Sequence, residues 1–163
     1  MINRELFKKA EETVSSLKAK GLTVATAESC TGGMVSSFIT SVSGVSEVFE
    51  LGITSYSCRI KNQILGVDNK TLESKGAISE ETARQMAENV RKMAGSDLGV
   101  SVTGAAGPKG SEGHPAGYVF IAVSGEKGTE VKLLNLDPVS RNAVREAAVF
   151  SLFQLIDQYI KDI

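Results

Sequence analysis

Cysteine and histidine are scarce in this sequence, and the scarcity removes several chemistries at once. Two cysteines, Cys30 and Cys58, in 163 residues are too few for a disulfide framework. The single histidine, His114, cannot form a histidine-cluster metal site, and there is no Cys-x-x-Cys pair, so no structural or catalytic zinc is expected. A carboxylate-held magnesium stays compatible with the composition. No apolar run approaches the roughly 18 residues needed to span a bilayer. The opening MINRELFKKAEE is charged and amphipathic and lacks the apolar centre of a secretory signal, so the reading is a cytoplasmic protein with no membrane partner. Net charge is only −1, which argues against a general electrostatic footprint for nucleic acid.

What is present suits a globular domain. Apolar residues make up 42 % and charged residues 23 %, ordinary proportions for a chain that buries a full core. We expect one domain, 1–163, with no internal repeat or linker. Leu6, Ala10, Val14 and Leu17 form one stripe of a helix over 3–19, stopped by Gly21. A short buried strand comes next over 22–27, then a helix over 31–41 carrying Met34, Val35, Phe38 and Ile39. A second strand over 48–56 is irregular near Gly52. A short helix covers 59–66, a polar connection with at most a helical turn succeeds it, and the clearest helix runs from 79 to 94. Ser79 caps it, Glu80 and Glu81 suit its dipole, and Ala83, Met86, Ala87, Val90 and Met93 or Ala94 line it.

Strands over 98–104, 118–125 and 130–137 come next, the last two joined by a turn from Gly125 to Gly128 short enough to make an antiparallel hairpin. Asp137 and Pro138 are expected to open a final helix lined by Val144, Ala148, Leu152, Leu155 and Tyr159. Helices alternating with apolar strands imply an α/β fold: a three-layer α/β/α sandwich with a mixed, mostly parallel sheet of about five strands.

The segment TVATAESCTGG, 23–33, carries the first chemical signal. An apolar run breaks off at Glu28 into Ser29, Cys30, Thr31 and two glycines, where a helix begins. In such folds ligands sit beyond the carboxyl ends of the strands. A hydroxyl there would have backbone donors for an oxyanion close by, and Gly32 and Gly33 allow close approach. An N-cap role for Ser29 or Thr31 is the plainer explanation of the same residues. Cys30 is a second candidate nucleophile, or a small core residue.

With no histidine at hand, a serine would need a lysine as base. Lys61 comes directly after the second strand and would reach the same sheet end if the first two strands are parallel neighbours. Burial would have to lower its pKa. Tyr56 would then relay protons or orient the substrate. Composition alone reads Lys61 as exposed and Tyr56 as core edge. The glycine-rich VTGAAGP and GSEGHPAG, 102–108 and 110–117, match neither the P-loop nor the dinucleotide fingerprint. They suit a phosphate or a planar ring, or a long surface loop. The Thr103 hydroxyl would reach the crevice of Ser29. Arg141 and Arg145, four apart in the last helix, share a face suited to a phosphate or simply to solvent.

TVATAESCTGG, GITSYSCRIKNQILGV, GAISEETARQMA, SVTGAAGP and AGYVFIAV, in this order, resemble the CinA C-terminal domain family from about residue 5 to about 160. The chain resembles the stand-alone form of that domain, without the N-terminal molybdopterin-binding-like domain. The resemblance implies hydrolysis of the carboxamide of nicotinamide mononucleotide to nicotinic acid mononucleotide and ammonia, a step of pyridine nucleotide salvage. It places the nucleophile on Ser29, the lysine base on Lys61, further active-site positions on Tyr56 and Thr103, and a phosphate-binding position on Arg141. Cys30, Thr31, Gly32, Gly33, Gly104 and Gly107 are the accompanying substrate-binding candidates. The chemistry needs no metal or organic cofactor. The resemblance also suggests a homo-oligomer, for which the amphipathic terminal helices offer packing faces. Two positions depart from the common family pattern: Cys58 replaces an asparagine before the lysine, and Ser111 replaces a glycine. A reading from another class is a non-catalytic nucleotide-binding or partner-recruiting module linked to competence and DNA damage. A second enzymatic reading keeps the amidase chemistry on another small amide.

Overall fold

The computed structural model describes residues 3–161 and 163. Helix α1 (Arg4–Lys20) is capped by Asn3, whose side chain accepts from Leu6 N. Next come strand β1 (Val24–Glu28), α2 (Met34–Thr40), a 3-10 turn over Val45–Glu47, β2 (Phe49–Thr54), α3 (Cys58–Gln63), α4 (Asn69–Lys75), α5 (Glu80–Ala94), β3 (Leu98–Gly104), β4 (Tyr118–Gly125), β5 (Gly128–Asn135) and α6 (Arg141–Ile160). No helix among the described residues is long and apolar enough to cross a membrane.

The five strands form one sheet in the order β2-β1-β3-β4-β5. β1 runs parallel to both neighbours, while β4 is antiparallel to β3 and to β5. This is the expected three-layer sandwich with a mixed, mostly parallel sheet. The middle strands are buried on both faces, every residue of β1 and all of β3 but Gly104, as expected of strands covered by helices on both sides. α1, α2 and α6 cover one face, centred on Phe153, Leu152 and Ile156. α5 covers the other with Met86, Val90, Ala83 and Ala87. Each large side chain fully buried here contributes about 1.5–3 kcal/mol.

Several boundaries differ from expectation, each for a local reason. The polar connection after Leu65 is a helix, α4, because the Asp68 carboxylate caps it at Lys70 N. The final helix does not begin at Asp137 and Pro138. Ser140 caps it, accepting from Ala143 N, and a cap hydroxyl outweighs the preference of proline for the first helical position. The irregularity of β2 lies at Glu50, which the pairing with β1 skips as it passes from Val24↔Phe49 to Ala25↔Leu51. Gly52 is instead a place of close approach, where a Cβ would stand 2.6 Å from Ser36 Oγ. In α5 the stripe ends on Ala94, with Met93 exposed.

Candidate active site

The parallel pairing of β1 with β2 and β3 brings three chain segments to one end of the sheet. Glu28 pairs with Thr54 on one side and Val102 on the other. Beyond them Ser29 N donates to Val102 O at 2.9 Å and Ser55 N donates to Glu28 O at 2.9 Å. Ser29, Ser55 and Thr103 are therefore neighbours by register. The chain then turns through Ser57, whose hydroxyl caps α3 at Ile60 N. Lys61 comes one turn later, and because helical side chains lean toward the N-terminus its amine is carried back over the sheet end.

The result is a buried lysine facing a serine. Lys61 is 1 % exposed and Ser29 9 %. Lys61 Nζ donates to Ser29 Oγ at 2.9 Å, to Ser55 O at 2.7 Å and to Tyr56 O at 3.3 Å. Burial lowers the Lys61 pKa from its ordinary value, opposed by the nearby Cys58, Cys30 and Glu112. Among the described residues none of its hydrogen-bond partners is a carboxylate. A neutral amine fits this seat without rearrangement: two N–H bonds point at the carbonyls of Ser55 and Tyr56, and the lone pair is left for the Ser29 proton.

Cys30 behaves differently from its neighbour. It is buried within the apolar core, and burial pushes its thiol up to about 11. A thiol held protonated is a poor nucleophile, so the hydroxyl at 29 is the better-equipped group.

Glu28 has a definite structural role. Its carboxylate, 1 % exposed, accepts from Gly33 N at 3.1 Å, Val35 N at 3.0 Å, Ser36 N at 2.9 Å and Ser36 Oγ at 2.9 Å. It occupies the donors at the start of α2 that the sequence suggested for a substrate. Gly32 N donates to Ser29 O. No backbone carbonyl among the described residues accepts from Cys30 N or Thr31 N.

A cavity of about 330 Å³ opens over the dyad. Ser29, Cys30, Tyr56, Lys61, Thr103, Gly104, Gly107 and Arg141 line it, and Thr31, Gly32 and Gly33 do not. The Thr103 hydroxyl donates to Ala77 O at 2.7 Å, fixing the loop before α5 to the end of β3. The Tyr56 phenol, largely exposed, does not lie between Ser29 and Lys61. It accepts from Arg141 Nη2 at 2.8 Å, while Arg141 Nη1 donates to Gly107 O at 2.7 Å. Arg141 thus ties two walls of the cavity together.

Arg145 does not join Arg141 at the cavity. Its Nε donates to Cys30 O at 3.1 Å and its Nη2 to Thr31 O at 2.8 Å. The four-residue spacing gave the two arginines a shared face but not their targets, which lie one helical turn apart along α6.

The glycine-rich loop supplied a wall residue, Glu112, that the sequence did not mark. Glu112 has a left-handed backbone, φ 52°, rare for a residue with a Cβ. Its carboxylate crosses the cavity wall to accept from Ile78 N at 2.9 Å and Ala77 N at 3.3 Å. Gly76 leaves room for it, since a Cβ there would meet Glu112 Oε2 at 2.5 Å. His114, read as isolated, stacks on Tyr118 with ring centroids 4.3 Å apart.

The model of the CinA C-terminal domain matches residues 6–160. A competence-damage inducible protein of Acetivibrio thermocellus is 42 % identical over 165 residues, covering 98 % of this chain and 40 % of that protein. One from Caldanaerobacter subterraneus subsp. tengcongensis is 44 % identical over 152 residues, covering 93 % and 37 %. The chain thus spans roughly two fifths of the length of these curated relatives. Among solved structures, the competence/damage inducible protein CihA from Agrobacterium tumefaciens superposes with a TM-score of 0.92 at 31 % identity, over 97 % of each chain. A CinA superfamily protein from Klebsiella pneumoniae gives 0.94 at 26 % identity, over 97 % of this chain and 99 % of that one.

Proposed function

The chain belongs to the CinA C-terminal domain family, and from the site this fold carries we propose that it is an amide hydrolase acting on the carboxamide of nicotinamide mononucleotide, with Ser29 as nucleophile and Lys61 as base. The observation that carries the reading is the 2.9 Å contact between Ser29 Oγ and a buried Lys61 amine whose hydrogen-bond partners among the described residues include no carboxylate. A lysine buried without a carboxylate partner is costly for a fold, and general-base chemistry is the use that explains its retention.

The reaction runs in two halves. Neutral Lys61 takes the Ser29 proton as Oγ attacks the amide carbon. The oxyanion is met by backbone N–H groups of the 30–31 turn, a contribution of roughly 3 kcal/mol per donor. The C–N bond breaks as Lys61 returns the proton to nitrogen, releasing ammonia and leaving an ester on Ser29. Water then attacks the ester, its proton passing through Lys61 to Ser29 Oγ, and the acid leaves. One amide and one water become one carboxylic acid and one ammonia.

Arg141 at the cavity rim supports a phosphorylated substrate, since a guanidinium binds phosphate with paired donors. Thr103 and Gly104 also line the cavity. Incubation of the purified chain with nicotinamide mononucleotide should release ammonia and nicotinic acid mononucleotide in equal amounts. Binding of the nucleotide without ammonia release would favour the non-catalytic module, and release only from other amides would move the substrate.

A further inference from the structure

The turn that carries Ser29 is held from outside the cavity by a residue that touches neither the base nor the cavity. Arg145 reaches from the first turns of α6 and donates Nε to Cys30 O at 3.1 Å and Nη2 to Thr31 O at 2.8 Å. Its remaining amine donates to Asn142 Oδ1 at 2.9 Å, which steadies the guanidinium in its plane. A trans peptide is rigid, with its C=O and N–H pointing opposite ways. Holding Cys30 O toward α6 therefore turns the Thr31 N–H away from α6. The preceding peptide is fixed in the same manner, because Ser29 O accepts from Gly32 N at 3.0 Å, which aims the Cys30 N–H the other way.

These are the two N–H groups of the turn that no backbone carbonyl among the described residues accepts from. Their neighbours at Gly33, Val35 and Ser36 are taken by Glu28. Without Arg145 nothing among the described side chains fixes the Cys30–Thr31 peptide, and a turn containing Gly32 at φ 60° and Gly33 at φ 98° has the freedom to rotate it. A rotated peptide would present a carbonyl, which repels an oxyanion, in place of a donor.

We propose that Arg145 is a positioning residue for the oxyanion donors: it locks the 30–31 turn so that its N–H groups face the reacting carbonyl oxygen. This rests on the Ser29–Lys61 reading. Its positive charge also polarises the peptide whose carbonyl it holds, making the attached N–H a stronger donor. The effect belongs to the transition state, where charge develops on oxygen, and not to substrate binding.

The test compares wild type with Arg145→Ala and Arg145→Lys in steady state on nicotinamide mononucleotide, with circular dichroism to verify folding. Loss of one oxyanion donor costs about 10²–10³ in kcat, so Arg145→Ala should lose about 10²-fold in kcat with KM changed less than about threefold. The pH at which the rate rises should stay where it is in wild type, because Lys61 is untouched. Added guanidinium ion should restore part of kcat in Arg145→Ala, and Arg145→Lys, with one point of attachment, should fall between. A rise in KM at constant kcat would overturn the proposal and make Arg145 a phosphate ligand, and an unchanged kcat would overturn it outright. If wild type releases no ammonia, the same comparison is made on the burst of p-nitrophenol from p-nitrophenyl acetate. A burst slowed about 10²-fold in Arg145→Ala then supports the lock while the substrate reading fails, and an equal burst sinks the lock. If Arg145→Ala does not fold, the Arg145→Lys comparison decides by the same split of kcat from KM.

Discussion

Lys61 Nζ sits 2.9 Å from Ser29 Oγ although 32 residues separate them, and it also donates to two main-chain carbonyls, Ser55 O and Tyr56 O. Register brings the pair together: β1 and β2 run side by side in the same direction, so the segments that leave the two strands meet at one end of the sheet. Ser29→Ala and Lys61→Ala should each lower ammonia release by about 10³-fold or more while circular dichroism stays unchanged. Turnover near the wild-type rate in either variant removes the dyad as the source of activity.

Burial holds the Lys61 pKa below its ordinary 10.5, and this fixes the sign of two pH effects. The base works when neutral, so kcat/KM should rise with pH on a limb whose midpoint lies below 10.5. Stability obeys linkage. Between the lowered folded value and the unfolded one, the folded chain binds fewer protons than the unfolded chain, so stability rises with pH through that window and the penalty is full below it. Lys61→Met should remove that slope and raise the melting temperature at pH 7, by about 2–4 °C for each kcal/mol recovered in a chain of this size. A lower melting temperature across the whole pH range would show that the amine stabilises the fold.

The two thiols should separate cleanly. Cys30 is buried and raised to about 11, whereas Cys58 is exposed and lines the cavity. At pH 8 the thiolate fraction of Cys30 is on the order of 10⁻³. A thiol reagent should therefore label one cysteine per native chain and two after denaturation. Labelling of Cys58 should lower activity by crowding the cavity, and Cys58→Ser should be immune. Rapid labelling of Cys30 in the native chain would contradict its burial.

Glu28 ties the end of β1 to the start of α2 through four hydrogen bonds. Glu28→Ala strands three N–H groups, that of Val35 buried and those of Gly33 and Ser36 half-buried, which should cost about 3–5 kcal/mol, seen as an earlier urea midpoint with an unchanged slope. A loss below about 1 kcal/mol would mean that water or a shift of α2 replaces the carboxylate.

Periodicity made most of the fold legible. The stripe of α1 and the order of the strands along the chain needed only that signal, and the short runs at 22–27 and 98–104 placed the two central strands. The sheet-end location of Ser29 and Lys61 came from that order. The features that escaped notice depend on backbone geometry that residue types do not encode. The role of Glu28, catalytic or structural, was not legible, because an acid at a strand end gives no sign that it will fold back onto its own chain. Arg145 looked like a partner of Arg141 because helical spacing fixes a face and not a target. Glu112 gave no signal, since a left-handed glutamate between glycines has no pattern to search for. Thr31, Gly32 and Gly33 looked like cavity residues by proximity to Ser29, but the turn carries them away from it, Thr31 and Gly32 toward Arg145 and Gly33 toward Thr54.

Glu112 offers a test of the electrostatics that does not touch the dyad. Its carboxylate, held on the N–H groups of Ala77 and Ile78, lines the cavity and acts on Lys61 in the direction that favours the charged amine. Removing that charge favours the neutral amine and so the active base. Glu112→Gln keeps an oxygen for Ile78 N and keeps the side-chain volume, so the loop should hold its place. The rising limb of kcat/KM should then move to lower pH, with the plateau rate at high pH unchanged within about twofold. The movement should shrink as salt is added, because Glu112 is partly solvated and its field is screened. A limb that moves to higher pH would mean that the loop has opened and Lys61 has gained water. A limb that stays fixed while the plateau falls would mean that Glu112 acts only by holding the loop against α5.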